Sequence, residues 1–188
     1  PMLLPDMEEA VRTIRRAMER GAKIAVFGDY DVDGVTSTCV LTRMLRNLGA
    51  DVQYYIPDRL SEGYGLSVDA MDALAAEGVG LIITVDSGVS AFEEIAHARE
   101  LGMEVVVTDH HECRETLPGA NAVVNPKRTD SQYPFADLAG GGVTFKLICA
   151  LAGAGRGQEM LEQYADLVAL GTVADVMPLV GENRIIVA

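Results

Sequence analysis

Three short apolar runs, at residues 23–27, 80–85 and 104–108, each stop at or beside an aspartate (Asp29, Asp86 and Asp109). That repeated punctuation constrains the fold more than any other feature of the chain. Each run is too short for a buried helix and too continuously apolar for a strand with one wet face, so each reads as a strand covered on both sides. Amphipathic segments alternate with these runs. Helical spacing appears at 7–18, with Asp6 placed as its N-cap, and again at 35–48, 68–77, 91–101, 143–151 and 160–170. Further strands are predicted at 52–56 and 122–124. The pattern predicts an α/β fold, a three-layer, Rossmann-like, mostly parallel sheet with helices on both faces, occupying residues 1–188. In such a sheet, ligands bind beyond the carboxyl ends of the strands, which is where the acids fall.

Composition supports a folded core and narrows the function. A chain of 188 residues, 49% hydrophobic and without Trp, is long enough to bury a core of its own. No apolar run approaches the roughly 20 residues that span a bilayer. The first residues lack the basic-then-apolar layout of a secretion signal, so a cytoplasmic protein with no membrane partner is expected. Cys39, Cys113 and Cys149 are odd in number and lack metal-site spacing, which reads as reduced thiols. The formal charge of -13 opposes a generic polyanion binder, unless cations neutralise the acid clusters or another domain supplies a basic groove.

The densest cluster is Gly28-Asp29-Tyr30-Asp31-Val32-Asp33-Gly34, where the first strand gives way to a helix. Carboxylates spaced by two in extended backbone project to one side, and Gly34 permits a tight turn. Three like charges so placed call for a divalent cation. Helix capping accounts for one of the acids. A calcium-binding helix–loop–helix would need Glu at the twelfth position from Asp29, and that position is Val40. Asp86-Ser87-Gly88, Asp109-His110-His111-Glu112 and Asp175, an isolated acid in an apolar segment, complete the set. Singly, each has an ordinary explanation as a cap or a surface group. Together they bring carboxylates and imidazole to one sheet edge without thiolate, a donor set suited to Mn²⁺ or Mg²⁺ rather than structural zinc. His97, with no acid motif around it, reads as a solvated helix residue.

Asp31-Val32-Asp33-Gly34, Asp86-Ser87-Gly88, Asp109-His110-His111 and Gly171-Thr172-Val173-Ala174-Asp175 resemble, in order, the four motifs of the DHH phosphoesterases. Within that family the strings from Phe27 to Gly34, Arg59 to Leu66, Asn125 to Arg128 and Leu138 to Leu147 resemble the bacterial single-strand-specific DNA exonucleases of the RecJ type. The resemblance implies 5′ to 3′ hydrolysis of single-stranded DNA in repair and recombination with two Mn²⁺ or Mg²⁺ ions. It implies Asp31, Asp33, Asp86, His110 and Asp175 as metal ligands, with Asp86 between the ions. Many family members have a His four residues before the position of Asp31; here that residue is Phe27, leaving Asp29 as a ligand or an orienting group. Asp109 would orient its neighbours, His111 would hold a phosphate oxygen or assist the leaving oxygen, and Arg59 would fork onto a phosphate.

Such enzymes carry a further domain that helps grip the nucleic acid. The apolar run at 184–188, with no polar tail, reads as the edge of a piece of a longer protein lacking that C-terminal domain. Two rivals stand beside the exonuclease: a DHH enzyme acting on short oligoribonucleotides or small nucleotides, and a non-catalytic scaffold that has kept the fold.

Overall fold

The computed structural model describes residues 1–60 and 63–188; Ser61 and Glu62, inside the Arg59 to Leu66 string, lie outside the described residues. Five strands pair in parallel: β1 (Lys23–Phe27), β2 (Val52–Tyr55), β3 (Val79–Val85), β4 (Glu104–Thr108) and β5 (Ala122–Val124). Their order is β2-β1-β3-β4-β5, so the chain leaves β1 in one direction and later returns to build outward in the other. The reversal falls between β1 and β3, and the crevice beyond their carboxyl ends is the natural ligand position of such a sheet. Asp29, Asp31 and Asp33 follow β1, and Asp86 follows β3.

Alternation along the strands divides the core in two. Ile24, Val26, Leu81, Ile83 and Val106 point to the face covered by α1 (Met7–Glu19), α2 (Val32–Asn47), α5 (Gly140–Ala152) and α6 (Gly157–Ala174). Ala25, Phe27, Ile82, Val105 and Val107 point to the face covered by α3 (Val68–Ala76) and α4 (Phe92–Glu100). Residues on both faces are fully removed from water, which is why the strands read as continuous apolar runs. The predicted α/β layering therefore holds, with every pairing among the described strands parallel. The run at 184–188 belongs to a last helix, α7 (Gly181–Val187), which the sequence did not announce as one. No helix among the described residues is long and apolar enough to cross a membrane.

Two local expectations are corrected. Asp6 precedes α1, but at φ 53° its side chain makes no capping bond. Its carboxylate instead accepts from the Val123 amide (3.1 Å) and the Arg128 guanidinium (2.6 Å), tying the start of the chain to β5 and the loop after it. His97 is not simply solvated, because its Nε2 meets Asp72 at 2.7 Å and links α4 to α3.

The Asp6 tie has a measurable consequence. Arg128 is largely buried, and it would keep only Asp130 as a charged partner if Asp6 were lost. Asp6→Ala is expected to destabilise the fold by about 1–3 kcal/mol in chemical denaturation, the range for removing one partner of a charged hydrogen bond. A loss of no more than a few tenths would mean that the tie is ornamental.

Candidate metal centre

The β1–α2 turn delivers the first acids. Asp31 occupies the N-cap of α2 and its Oδ1 accepts from the Gly34 amide at 2.8 Å, so capping accounts for this one carboxylate. Asp33, the second residue of the helix, is 2% exposed and faces inward. Its two oxygens accept from the amides of Gly140 (2.7 Å) and Gly141 (2.9 Å), the first residues of α5. The unsatisfied amides and partial positive charge of a helix start thus hold a carboxylate inside the protein. Burial nevertheless pushes Asp33 above the usual carboxylate range.

Asp86 directly follows β3 with a backbone φ of 57°, a left-handed conformation that a residue other than glycine adopts at a cost. The turn aims its 1%-exposed side chain at the crevice. His110, after β4, is 5% exposed, with Nε2 at 3.1 Å from Asp86 Oδ1 and 3.6 Å from Asp175 Oδ2. Neither approach has hydrogen-bond geometry. Asp86 Oδ1, both ring nitrogens of His110 and both oxygens of Asp29 are buried without a hydrogen-bond partner. Burial pushes Asp29 up as well, while the neighbouring Tyr30 amide offsets part of the rise. Buried polar atoms in native proteins are nearly always satisfied, so these orphans mark a place built for something else.

Two overlapping groups of ligand atoms lie there. Asp86, His110 and His111 offer atoms within 4.8 Å of one another, and so do Asp33, His110 and Asp175. Asp31 stands outside both groups but lines a small cleft with Asp33 and Asp175. All five expected ligands thus border one crevice although they come from four separate stretches of chain. Donor chemistry and orphaned atoms both fit a divalent cation held by carboxylates and imidazole.

The adjacent histidines are prepared differently. Asp109, 1% exposed, accepts from the amides of Val89 (2.9 Å), His110 (2.7 Å) and His111 (3.1 Å), and its Oδ1 lies 2.7 Å from His111 Nδ1. Burial pushes Asp109 up, but His111 and the amides outweigh it and hold the carboxyl below its ordinary value. The Asp109 bond raises His111 to about 9, whereas burial, helped by the His111 charge, lowers His110. His110 is therefore a neutral, ligand-competent imidazole and His111 a half-exposed cation beside it. His111 Nε2 looks toward the Tyr64 hydroxyl at 3.5 Å, and Arg59 lies over the Tyr30 ring at 5.3 Å on the same rim.

Glycine supplies the room. A methyl group on Gly140 would overlap the Asp86 carboxylate, and one on Gly171 would overlap that of Asp33. Gly34 has the same function rather than the turn function expected of it, since a methyl there would press on the Asp29 backbone. The α5 amides and the glycines of α5 and α6 were missed as site elements by reasoning from the acids. The Gly140-Gly141-Gly142 run at the head of a helix was the available signal, because such a run costs helix stability.

Residues 23–172 match the DHH family, N-terminal domain. The chain belongs to the DHH family. Among curated relatives of this DHH chain, it is 47% identical over 186 residues to the single-stranded-DNA-specific exonuclease RecJ of Bacillus subtilis, covering 99% of the chain and 23% of that protein. It is 44% identical to the RecJ of Escherichia coli, covering 97% of the chain and 34% of that protein. A crystal structure of exonuclease RecJ bound to manganese superposes with a TM-score of 0.86 at 41% identity, over 98% of this chain and 46% of that one. The Thermus thermophilus RecJ in complex with Mn²⁺ gives 0.79 at 37% identity, over 97% and 26%. The DHH chain thus spans about a quarter to a third of the length of these curated relatives.

The electrostatics predict an unusual pH response without metal. Asp86 is pushed up to about 10, by burial first and then by the charges of Asp33, Asp31 and Asp109. A folded-state value above the unfolded one means that the fold binds the extra proton, so this group destabilises it progressively as pH rises from about 4 toward about 10. In EDTA near about pH 8, Asp86→Asn should therefore melt higher than the parent by roughly 2–4 °C or more, with the gap closing on acidification. A variant that melts lower under those conditions would contradict this repulsion.

Proposed function

We propose that this chain is the catalytic domain of a metal-dependent exonuclease that hydrolyses single-stranded DNA from its 5′ end, in repair and recombination, with two Mn²⁺ or Mg²⁺ ions. The observation that carries the proposal is the set of buried, partnerless atoms on Asp86 and His110, in a crevice shared with Asp33 and Asp175. Relatives named as single-stranded-DNA-specific exonucleases, and related structures holding Mn²⁺ or Mg²⁺, support the substrate and the metals. Polarity follows the family resemblance, and a cytoplasmic location accompanies this reading.

In this proposal Asp31, Asp33, Asp86, His110 and Asp175 hold the ions, Asp86 standing between them. Bound ions would supply a lowered water pKa, neutralisation of the phosphate and stabilisation of both the attacking and the leaving oxygen. The protein's own groups do the rest. The α5 amides fix Asp33 in one orientation before any ligand arrives. Asp109 sets the His111 ring and keeps it cationic, so that His111 presents an N–H to a phosphate oxygen or to the departing sugar oxygen. Arg59, on the rim, offers its planar fork to a phosphate. Asp29 completes the buried acid set as a ligand or by orienting one.

A following domain that grips the strand belongs to the same proposal. It accounts for a charge of -13 on a domain whose substrate is a polyanion, because the basic groove would lie in the remainder of a longer protein.

The proposal predicts Mn²⁺-dependent release of 5′-mononucleotides, faster from long single strands than from dinucleotides. Asp86→Ala should reduce that release by at least about a hundredfold, the upper end of losses seen for groups that merely support ligands. It should also abolish a Mn²⁺ binding isotherm in titration calorimetry. Retention of activity by Asp86→Ala would remove the proposed centre, and faster turnover of dinucleotides would move the assignment to a small-nucleotide enzyme.

A further inference from the structure

The flank of the molecule between α2 and the edge strand β2 carries a groove of about 300 Å³ that the metal centre does not use. Val35, Cys39 and Ile56 line it, with Tyr54, 60% exposed, on the rim. Thr42 is 4% exposed and also lines it, with a hydroxyl that has no hydrogen-bond partner. Arg43 and Arg46 complete the lining, both exposed and one helical turn apart.

These two cations differ from most others in the chain. Arg16 and Arg20 share Glu104, Arg128 holds Asp6 and Asp130, and Arg156 holds Glu159. Arg43 and Arg46 have no carboxylate partner among the described residues; Arg43 lies over the Tyr164 ring at 5.7 Å. In a chain of net charge -13, two guanidiniums left free of acids within one groove are a local inversion of sign. The groove and the centre share one helix. Asp31 and Asp33 stand at the head of α2, Val35 in its first turn, and Arg43 and Arg46 near its foot, about 15 and about 20 Å along the axis from Asp33.

We propose that this groove binds single-stranded nucleic acid along α2, with Arg43 and Arg46 on phosphates and Tyr54 stacked on a base. Cationic forks beside an exposed aromatic ring on an apolar floor are the chemistry of a sequence-tolerant single-strand track. An acidic peptide would satisfy the guanidiniums and leave the flat ring without a partner of its own. The link between this track and the metal centre rests on the exonuclease reading; binding does not.

The test is fluorescence anisotropy of the full chain with a labelled oligothymidylate of about twenty nucleotides in EDTA, so that no hydrolysis occurs, across a series of salt concentrations. Replacing both Arg43→Ala and Arg46→Ala should weaken binding roughly tenfold or more and flatten the slope of log affinity against log salt by about 1.4, or about 0.7 per phosphate contact. Tyr54→Ala should weaken it roughly fivefold or more with the slope unchanged. Thermal melts of the two variants, whose three substitutions are all at exposed positions, control for folding. The proposal is overturned if the parent shows no binding at low salt, if all three substitutions leave affinity and slope unchanged, or if the groove takes an oligoglutamate peptide while oligonucleotide binding ignores it. A parent that hydrolyses single strands with Mn²⁺ but ignores these substitutions overturns the groove alone. A parent that binds through the groove and never hydrolyses overturns the exonuclease reading alone.

Discussion

Burial of like charge is the interaction on which the rest of the structure depends. Asp29, Asp33 and Asp86 are each no more than 2% exposed, and all are raised above the usual carboxylate range chiefly by burial. Nothing in folding alone rewards such a cluster. Isolated ionised carboxylates lose far more by desolvation than a protein of this size has in net stability. Under the proposed function positive charge completes the cluster, and the scaffold keeps the acids close for it.

Several devices hold the arrangement, and each works against local preference. The left-handed backbone of Asp86 turns its carboxylate into the crevice. Three glycines open α5 where ordinary helix formers would be more stable, because a side chain at Gly140 would occupy the space of Asp86. At the end of α6 the amides of Val176 and Met177 close back on Val173 and Thr172, with Val176 at φ 55° where glycine is usual. That strained stop sets Asp175 at the C-cap, a helix end that disfavours an acid. Strain, missing side chains and a misplaced charge converge on one crevice, which is the pattern of a site maintained for function at the expense of stability.

The fold was legible because strands buried on both faces must be continuously apolar and must be short. β1, β4 and β5 occupy the predicted residues, and β3 begins one residue earlier. The acids were legible as well, since Asp86 and Asp109 directly follow the last residue of a strand. What stayed hidden depends on contacts between distant segments. Asp6 looks like a helix cap in sequence, yet Arg128 and the Val123 amide, more than a hundred residues away, claim its carboxylate. His97 looks idle until α3 brings Asp72 beside it. The amides that hold Asp33 belong to no side chain, and the glycine run that carries them was their one trace in the sequence.

The two adjacent histidines show how little separates a ligand from a cation. Sequence gives them the same chemistry and neighbouring positions; the Asp109 carboxylate divides them. It bonds the His111 ring and only the backbone amide of His110, so one imidazole is held charged while the other is left buried, neutral and without partners. A neutral ring nitrogen carries a single lone pair and can serve one ion, although His110 borders both ligand groups. If two ions share the crevice, the second must be held by carboxylates. Asp86 stands between two neighbourhoods: its oxygen lies against His110, and the charges of Asp33 and Asp31 help to raise its carboxyl.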